Sequence, residues 1–160
     1  MDVSSLFEVM PFARFFGIEI TAAIDGHAEG RLPFREEFRS SPTGDVAHGA
    51  VAYALCDTIA GAAVISLAES VTPTIDMRID YLRPITDDLE ATADVRRLGD
   101  SVAVADVSVV DSGGTVATAR GAYKTGGHVE DTAWTGGGVP VGPPGRSDDS
   151  IGESPTDERG

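Results

Sequence analysis

Apolar and polar positions sort along this chain into segments with two different periods. Near the start, Ser4 or Ser5 can cap a helix in which Leu6, Phe7, Met10 and Arg14 recur at helical spacing, and Gly17 ends it. One short N-terminal helix is therefore predicted. Ile18, Ile20 and Ala22 then alternate with polar residues as a strand does. Asp25-Gly26 is a two-residue hairpin signal that returns the chain through Ala28 to Phe34. A polar loop follows from Arg35 to about Val46, carrying Ser40, Ser41, Pro42 and Gly44.

The next segment has neither alternation nor an amphipathic stripe. From Gly49 to Ala68 the only charged residue is Asp57, and Ala dominates, which predicts a helix buried nearly all round. Twenty such residues would also suffice to cross a bilayer. The abundance of Ala and Gly, the interruption by Asp57 and the lack of flanking Lys or Arg argue for a core helix instead.

The following segments supply strands to wrap it. Ile75, Met77, Ile79 and Tyr81 alternate with Asp76, Arg78 and Asp80, as in a strand with one face covered. Further strands are expected from about Leu89 to Leu98, from Val102 to Val110 and from Thr115 to Lys124, joined by turns at Gly99-Asp100 and Ser112-Gly113-Gly114. On the last of them Thr115, Ala117, Ala119 and Gly121 form a small-residue face that a helix can approach closely. Helix, two strands, long buried helix and four antiparallel strands make an α+β arrangement.

Composition narrows the setting. The 160 residues suit one domain, and they carry 26 acidic against 12 basic side chains, a formal net charge of −14. Such a surface repels nucleic acid and anionic membranes, so neither is an expected partner. Eleven of the twelve basic residues are Arg, and Lys124 is the single Lys, an acid-rich and Lys-poor balance that suits high salt. The lone Cys56 cannot form an internal disulfide, and Met1–Met10 lacks a basic n-region, so a cytoplasmic location is expected. From Gly126 to Gly160 nine Gly, four Pro and a net charge of −5 read as a disordered acidic tail, which holds His128 and Trp134. The folded domain is then residues 1–125.

The chemistry concentrates in the central segment. An isolated carboxylate among apolar residues must be paired or neutralised, which marks Asp57. The His48-Gly49 step opens the helix, where unpaired N–H groups and the positive dipole end suit an oxygen gaining charge. Gly49 leaves its N–H open to close approach. Cys56 points about 100° away from Asp57 on a helix and reads as a core residue. His27 follows the hairpin and reads as exposed. No metal-ligand spacing, phosphate loop or dinucleotide fingerprint occurs.

Taken together, Val46-Ala47-His48-Gly49-Ala50-Val51-Ala52, with Asp57 nine positions after His48, resembles the signature of PaaI-type hot-dog thioesterases. The family pattern is His-Gly-Gly at the start of the central helix and an Asp on its body. Thr74-Ile75-Asp76-Met77-Arg78-Ile79-Asp80-Tyr81, with Pro84, is similar to the strand that follows in that family. The resemblance spans roughly Phe7 to Lys124. It implies a hot-dog fold, with a curved antiparallel sheet of about six strands around the central helix, and hydrolysis of an acyl-CoA to free acid and coenzyme A. By the same resemblance Asp57 is general base or nucleophile and the Gly49 amide belongs to an oxyanion hole, while His48 shapes the turn or binds nearby. Thr74 aligns with a Ser or Thr that positions water in some relatives.

Nine residues separate His48 from Asp57, about 2.5 turns at about 3.6 residues per turn, which puts them on opposite sides of an ideal helix. The family resolves this by setting Gly49 of one subunit against Asp57 of another, so a homodimer is implied, with a dimer of dimers common. Two positions depart from the pattern. Ala50, expected to contact substrate, stands for the second Gly. Pro42 stands where many relatives carry Asn, so either Ser41 or Thr43 contacts substrate in its place or the protein works more slowly or on another substrate. Coenzyme A enters as part of the substrate and no separate cofactor is expected. Arg83, Arg78, Arg96 and Arg97 are the available cations for its phosphates, although in so acidic a chain at least half of them are expected to be salt-bridged surface residues instead. The other reading is a non-catalytic acyl-CoA sensor or carrier, which the Pro42 departure favours. A hot-dog dehydratase would need a differently paired His and Asp.

Overall fold

A computed structural model describes residues 3–126. The acidic-tail reading, with His128 and Trp134, lies outside the described residues apart from Gly126.

Two short helices, not one, open the chain: α1 (Val3–Glu8) and α2 (Pro11–Phe16). Pro11 causes the break. It disfavours helical geometry in the residue before it, and Met10 is extended at φ −68° and ψ 119°. Gly17, at φ 74°, closes α2 with its N–H on the Ala13 and Arg14 carbonyls, as expected. Strands β1 (Glu19–Ile24) and β2 (His27–Leu32) are joined through Asp25 and Gly26, at φ 49° and 82°, the positive pair that a tight hairpin requires.

The remaining elements are α3 (Gly49–Ala68), β3 (Thr74–Tyr81), β4 (Leu89–Leu98), β5 (Val102–Asp111) and β6 (Gly114–Lys124). All six strands form one antiparallel sheet in the order β1-β2-β4-β5-β6-β3. The strand that follows α3 thus returns to the far edge, beside β6. Helix α3 lies against the inner face, with Leu55, Ile59, Ala60, Ala63 and Val64 fully buried. By length and composition it could cross a membrane, yet 67% of its apolar window is buried inside the fold, which makes it the core helix.

Close approach depends on small side chains facing the helix: Ala28, Gly30, Ala91, Ala93, Ala105, Ala117 and Gly121. Gly30 is the strictest. A Cβ there would run into Ile59 Cδ1 and lie 2.6 Å from the Glu19 carbonyl oxygen, which belongs to backbone and cannot step aside. Gly30→Ala is expected to cost about 1–3 kcal/mol, the usual penalty of overpacking. Urea denaturation measures this, and an unchanged midpoint would contradict the packing described.

The outer face carries a charged row that runs across five strands: His27, Asp94, Asp106, Arg120 and Arg78 are successive Cα partners. Arg120 and Arg96 both bond Asp106, and these hydrogen bonds, Arg120's foremost, hold its carboxyl below the usual range. Hydrogen bonds from His27 to Asp94 at 2.9 Å and to Glu29 at 3.3 Å raise the imidazole above its ordinary value. A raised pKa means that protonated His27 favours the folded state. Its contribution is complete below the ordinary histidine range and is lost as pH rises through the elevated value. Denaturation midpoints should therefore decline modestly over that interval in the wild type, because the pair is solvent-screened, and the decline should vanish in His27→Gln.

The alternation in β3 was expected to place Ile75, Met77, Ile79 and Tyr81 on a covered face. Only Met77 is buried, while Ile75 is 57% and Tyr81 49% exposed. For Ile75 the reason is a bulge between Thr74 and Asp76 that takes it out of the alternation, and for the rest it is topological. β3 is an edge strand, and the stripe of α3 beside it has no further strand to cover it within one chain.

Candidate active site

The start of α3 is held from three sides. A 3-10 turn at Glu36–Phe38 brings the loop back, so that His48 N–H donates to the Phe38 carbonyl at 2.7 Å and Ala47 N–H to that of Ile85 at 2.8 Å. Arg39 forms an isolated bridge with Ala47. His48 is the N-cap, extended at φ −65° and ψ 137°, and its Nδ1 accepts the Ala50 N–H at 3.1 Å. That bond requires Nδ1 to be unprotonated.

Of the first-turn donors of α3, one stands apart. Ala50 N–H is taken by His48 Nδ1, and Val51 N–H by the His48 carbonyl at 3.0 Å. Gly49 N–H makes no hydrogen bond among the described residues. The Gly49 carbonyl in turn accepts the Tyr81 hydroxyl at 2.8 Å. A Cβ on residue 49 would lie 2.9 Å from Tyr81 Cζ, so the ring would have to shift to admit one.

Because His48 lies outside the helix, the 2.5-turn relation to Asp57 does not describe the site. Gly49, Tyr53 and Asp57 are spaced by four and lie along the one stripe of the helix's first half that is not buried. What separates Gly49 from Asp57 is distance along the axis, about 12 Å at about 1.5 Å per residue. A single carbonyl group cannot reach both within one chain.

Asp57 finds the partners that its setting demands. Its Oδ1 accepts Thr74 Oγ1 at 2.8 Å and the Tyr123 hydroxyl at 3.3 Å. The same hydroxyl lies 3.3 Å from the Asp57 carbonyl. Oδ2 has no hydrogen-bond partner among the described residues. Thr74 and Tyr123 stand directly opposite each other on β3 and β6. Strict alternation would set Thr74 and Met77 on opposite faces. A bulge between Thr74 and Asp76 shifts the register by one residue, so both point at the helix. Tyr123 is 1% exposed, and burial first and then Asp57 push its hydroxyl far up, so it stays a donor. Burial likewise pushes the Cys56 thiol up to about 12, which suits a core residue and not a nucleophile.

Tyr123 is the site residue that sequence reasoning missed. The signal was present, since Tyr123 is the one bulky polar residue on the small-residue face of β6, two positions after Gly121. The other candidates stand elsewhere. Ser41 Oγ accepts the Gly44 N–H at 2.9 Å within its own turn, and Thr43 and Pro42 are exposed on that loop. Arg83 is committed to the β5–β6 turn, through Asp111 at 2.7 Å and the carbonyls of Gly114 and Thr115. Arg78 pairs with Asp80 at 2.9 Å. None of these meets Asp57 or Gly49 in this chain.

A long helix gripped by a six-stranded antiparallel sheet, entered through a His-Gly cap, is the hot-dog fold. Residues 44–118 match the family model described as the Thioesterase superfamily. A Halobacterium salinarum protein with a provisional esterase name is 37% identical over 123 residues, which cover 69% of this chain and 81% of that relative. A thioesterase-superfamily protein solved by X-ray crystallography superimposes with a TM-score of 0.71 at 32% identity, covering 76% of this chain and 94% of its own. The PaaI protein of the E. coli phenylacetic acid degradation operon gives a TM-score of 0.70 at 28% identity, over 77% of this chain and 89% of that one. The chain belongs to the thioesterase superfamily, with PaaI proteins among its structural neighbours. That membership supports hydrolysis of acyl thioesters in general.

Proposed function

We propose that the protein hydrolyses an acyl-CoA thioester at a site shared by two copies of the chain. Gly49 N–H of one copy would receive the thioester carbonyl oxygen, and Asp57 Oδ2 of the other would drive the attack. The observation that carries this is the asymmetry at Asp57. Thr74 and Tyr123 hold Oδ1, leaving Oδ2 free on the open stripe of α3.

In the general-base route Oδ2 takes a proton from water as the water oxygen bonds to the acyl carbon. The carbonyl electron pair moves onto oxygen, where the Gly49 N–H and the helix N-terminus stabilise the charge. When the carbonyl re-forms, the C–S bond breaks and the CoA thiolate takes up the proton from Asp57. In the nucleophilic route Oδ2 itself bonds to the acyl carbon and expels the thiolate, and water then cleaves the anhydride. Both routes use the same residues. Aryl and medium-chain acyl groups both fit this reading.

The exposed edge of β3, with Ile75, Tyr81 and Leu82 beside the half-open Tyr53, is where a second copy would add, giving a homodimer and from it a dimer of dimers. No separate cofactor enters, and neither nucleic acid nor membrane is a partner in this reading. A net charge of −14 suits a salt-rich cytoplasm. The experiment is release of free thiol from a panel of acyl-CoAs in molar salt. Turnover of at least one of them is expected. Saturable acyl-CoA binding without turnover would instead make the protein a sensor or carrier, the reading that Pro42 in place of the family Asn favours.

A further inference from the structure

We infer that Tyr81 is a positioning residue for the oxyanion site, holding Gly49 so that its free N–H keeps one direction. The inference rests on the proposed role of Gly49. Glycine has the widest backbone freedom of any residue, so a glycine amide aims well only if the peptides on both sides are fixed. On the N-terminal side the His48–Gly49 peptide is fixed through its carbonyl, which accepts Val51 N–H at 3.0 Å. On the other side the Gly49–Ala50 peptide is gripped at both ends. Tyr81 donates to its oxygen at 2.8 Å and His48 Nδ1 accepts its N–H at 3.1 Å.

The hydroxyl has no structural need to be there. A Phe ring would fill the same seat against Gly49, so the packing there needs the ring and not its oxygen. The Gly49 carbonyl sits where a helix already supplies an acceptor bond from four residues on. Tyr81 therefore adds a second bond to an oxygen that helix formation alone satisfies. The tyrosine hydroxyl reaches across from β3, the strand that also delivers Thr74 to Asp57. One strand thus aligns both halves of the chemistry in each chain, the amide end through Tyr81 and the carboxylate end through Thr74.

The test compares the full-length wild type with Tyr81→Phe, using an acyl-CoA that the wild type hydrolyses. Loss of aim acts on the transition state more than on ground-state binding, so kcat should fall about 10-fold with KM within about 2-fold of wild type. The thermal midpoint should hardly move, since the ring contact stays. A second readout needs no substrate: exchange of the Gly49 amide proton with water should differ between the two proteins, while that of Val51 stays the same. An unchanged kcat, or a change confined to KM, would overturn the inference while leaving the hydrolytic reading intact. If the wild type turns over no acyl-CoA, the hydrolytic reading fails first and this inference falls with it. Should Tyr81→Phe destabilise the fold, the bond is structural and the positioning role is likewise rejected.

Discussion

Asp57→Asn should lower turnover by about 10²–10⁴-fold, the range associated with loss of a positioned general base. The substitution keeps an oxygen to accept from Thr74 and Tyr123, so the grip seen on Oδ1 is preserved. Only the reactive oxygen and its charge are removed. Asp57→Ala is a poorer probe, because it removes the acceptor of Thr74 and one of the two acceptors of the buried Tyr123 hydroxyl, which keeps only the carbonyl of residue 57. Losing these bonds would mix a folding defect into the kinetics. Steady-state thiol release by the Asn variant, with its thermal midpoint close to wild type, isolates the chemistry. Turnover within a few-fold of wild type would remove Asp57 from the mechanism.

The second large effect is expected at Gly49. Proline is tolerated at the first position of a helix and removes the N–H outright, so Gly49→Pro deletes the proposed oxyanion donor without breaking an existing hydrogen bond. Removing one such donor typically lowers kcat by about 10²–10³-fold. Any Cβ at this position meets Tyr81 at 2.9 Å, however, so part of the loss will come from the displaced ring. Gly49→Ala makes the same push and keeps the N–H. The ratio of kcat between the Ala and Pro variants therefore separates the ring displacement from the loss of the N–H, whose place the proline Cδ takes. A ratio near one would mean that Gly49 N–H takes no part in the reaction.

How much of this could be read from the sequence depends on whether the controlling interaction is local. The long helix lies over Gly49–Ala68, as its Ala density and its His-Gly start indicate, because both are properties of the segment itself. Asp25-Gly26 likewise forms its hairpin through two residues' own backbone preferences. The break at Met10 was also local, and Pro11 was its signal. The bulge after Thr74 was not legible. It exists only in the pairing of β3 with β6, and without it alternation sends Thr74 to the wrong face. Tyr123 meets Asp57 across 66 residues of chain, and Arg83 meets Asp111 across 28, contacts that no period in the sequence encodes. In a chain with more than two acids per base, Arg78, Arg83 and Arg96 each find a carboxylate within the fold. Their number therefore says little about a phosphate ligand. The half-covered face of β3 has the same origin, since its complement would come from another copy.

The central claim, one site built from Gly49 of one copy and Asp57 of its partner, is tested most directly by mixing two inactive variants. Asp57→Asn and Gly49→Pro are dissociated, combined in equal amounts and reassembled, and thiol release is measured. In each mixed dimer one site pairs the intact Gly49 of the first variant with the intact Asp57 of the second, and the other site lacks both. Random pairing of a two-fold dimer then restores about a quarter of wild-type turnover per chain. Mixed dimers that form, as a tagged copy would reveal, yet stay as inactive as their parents would contradict a site shared in this way.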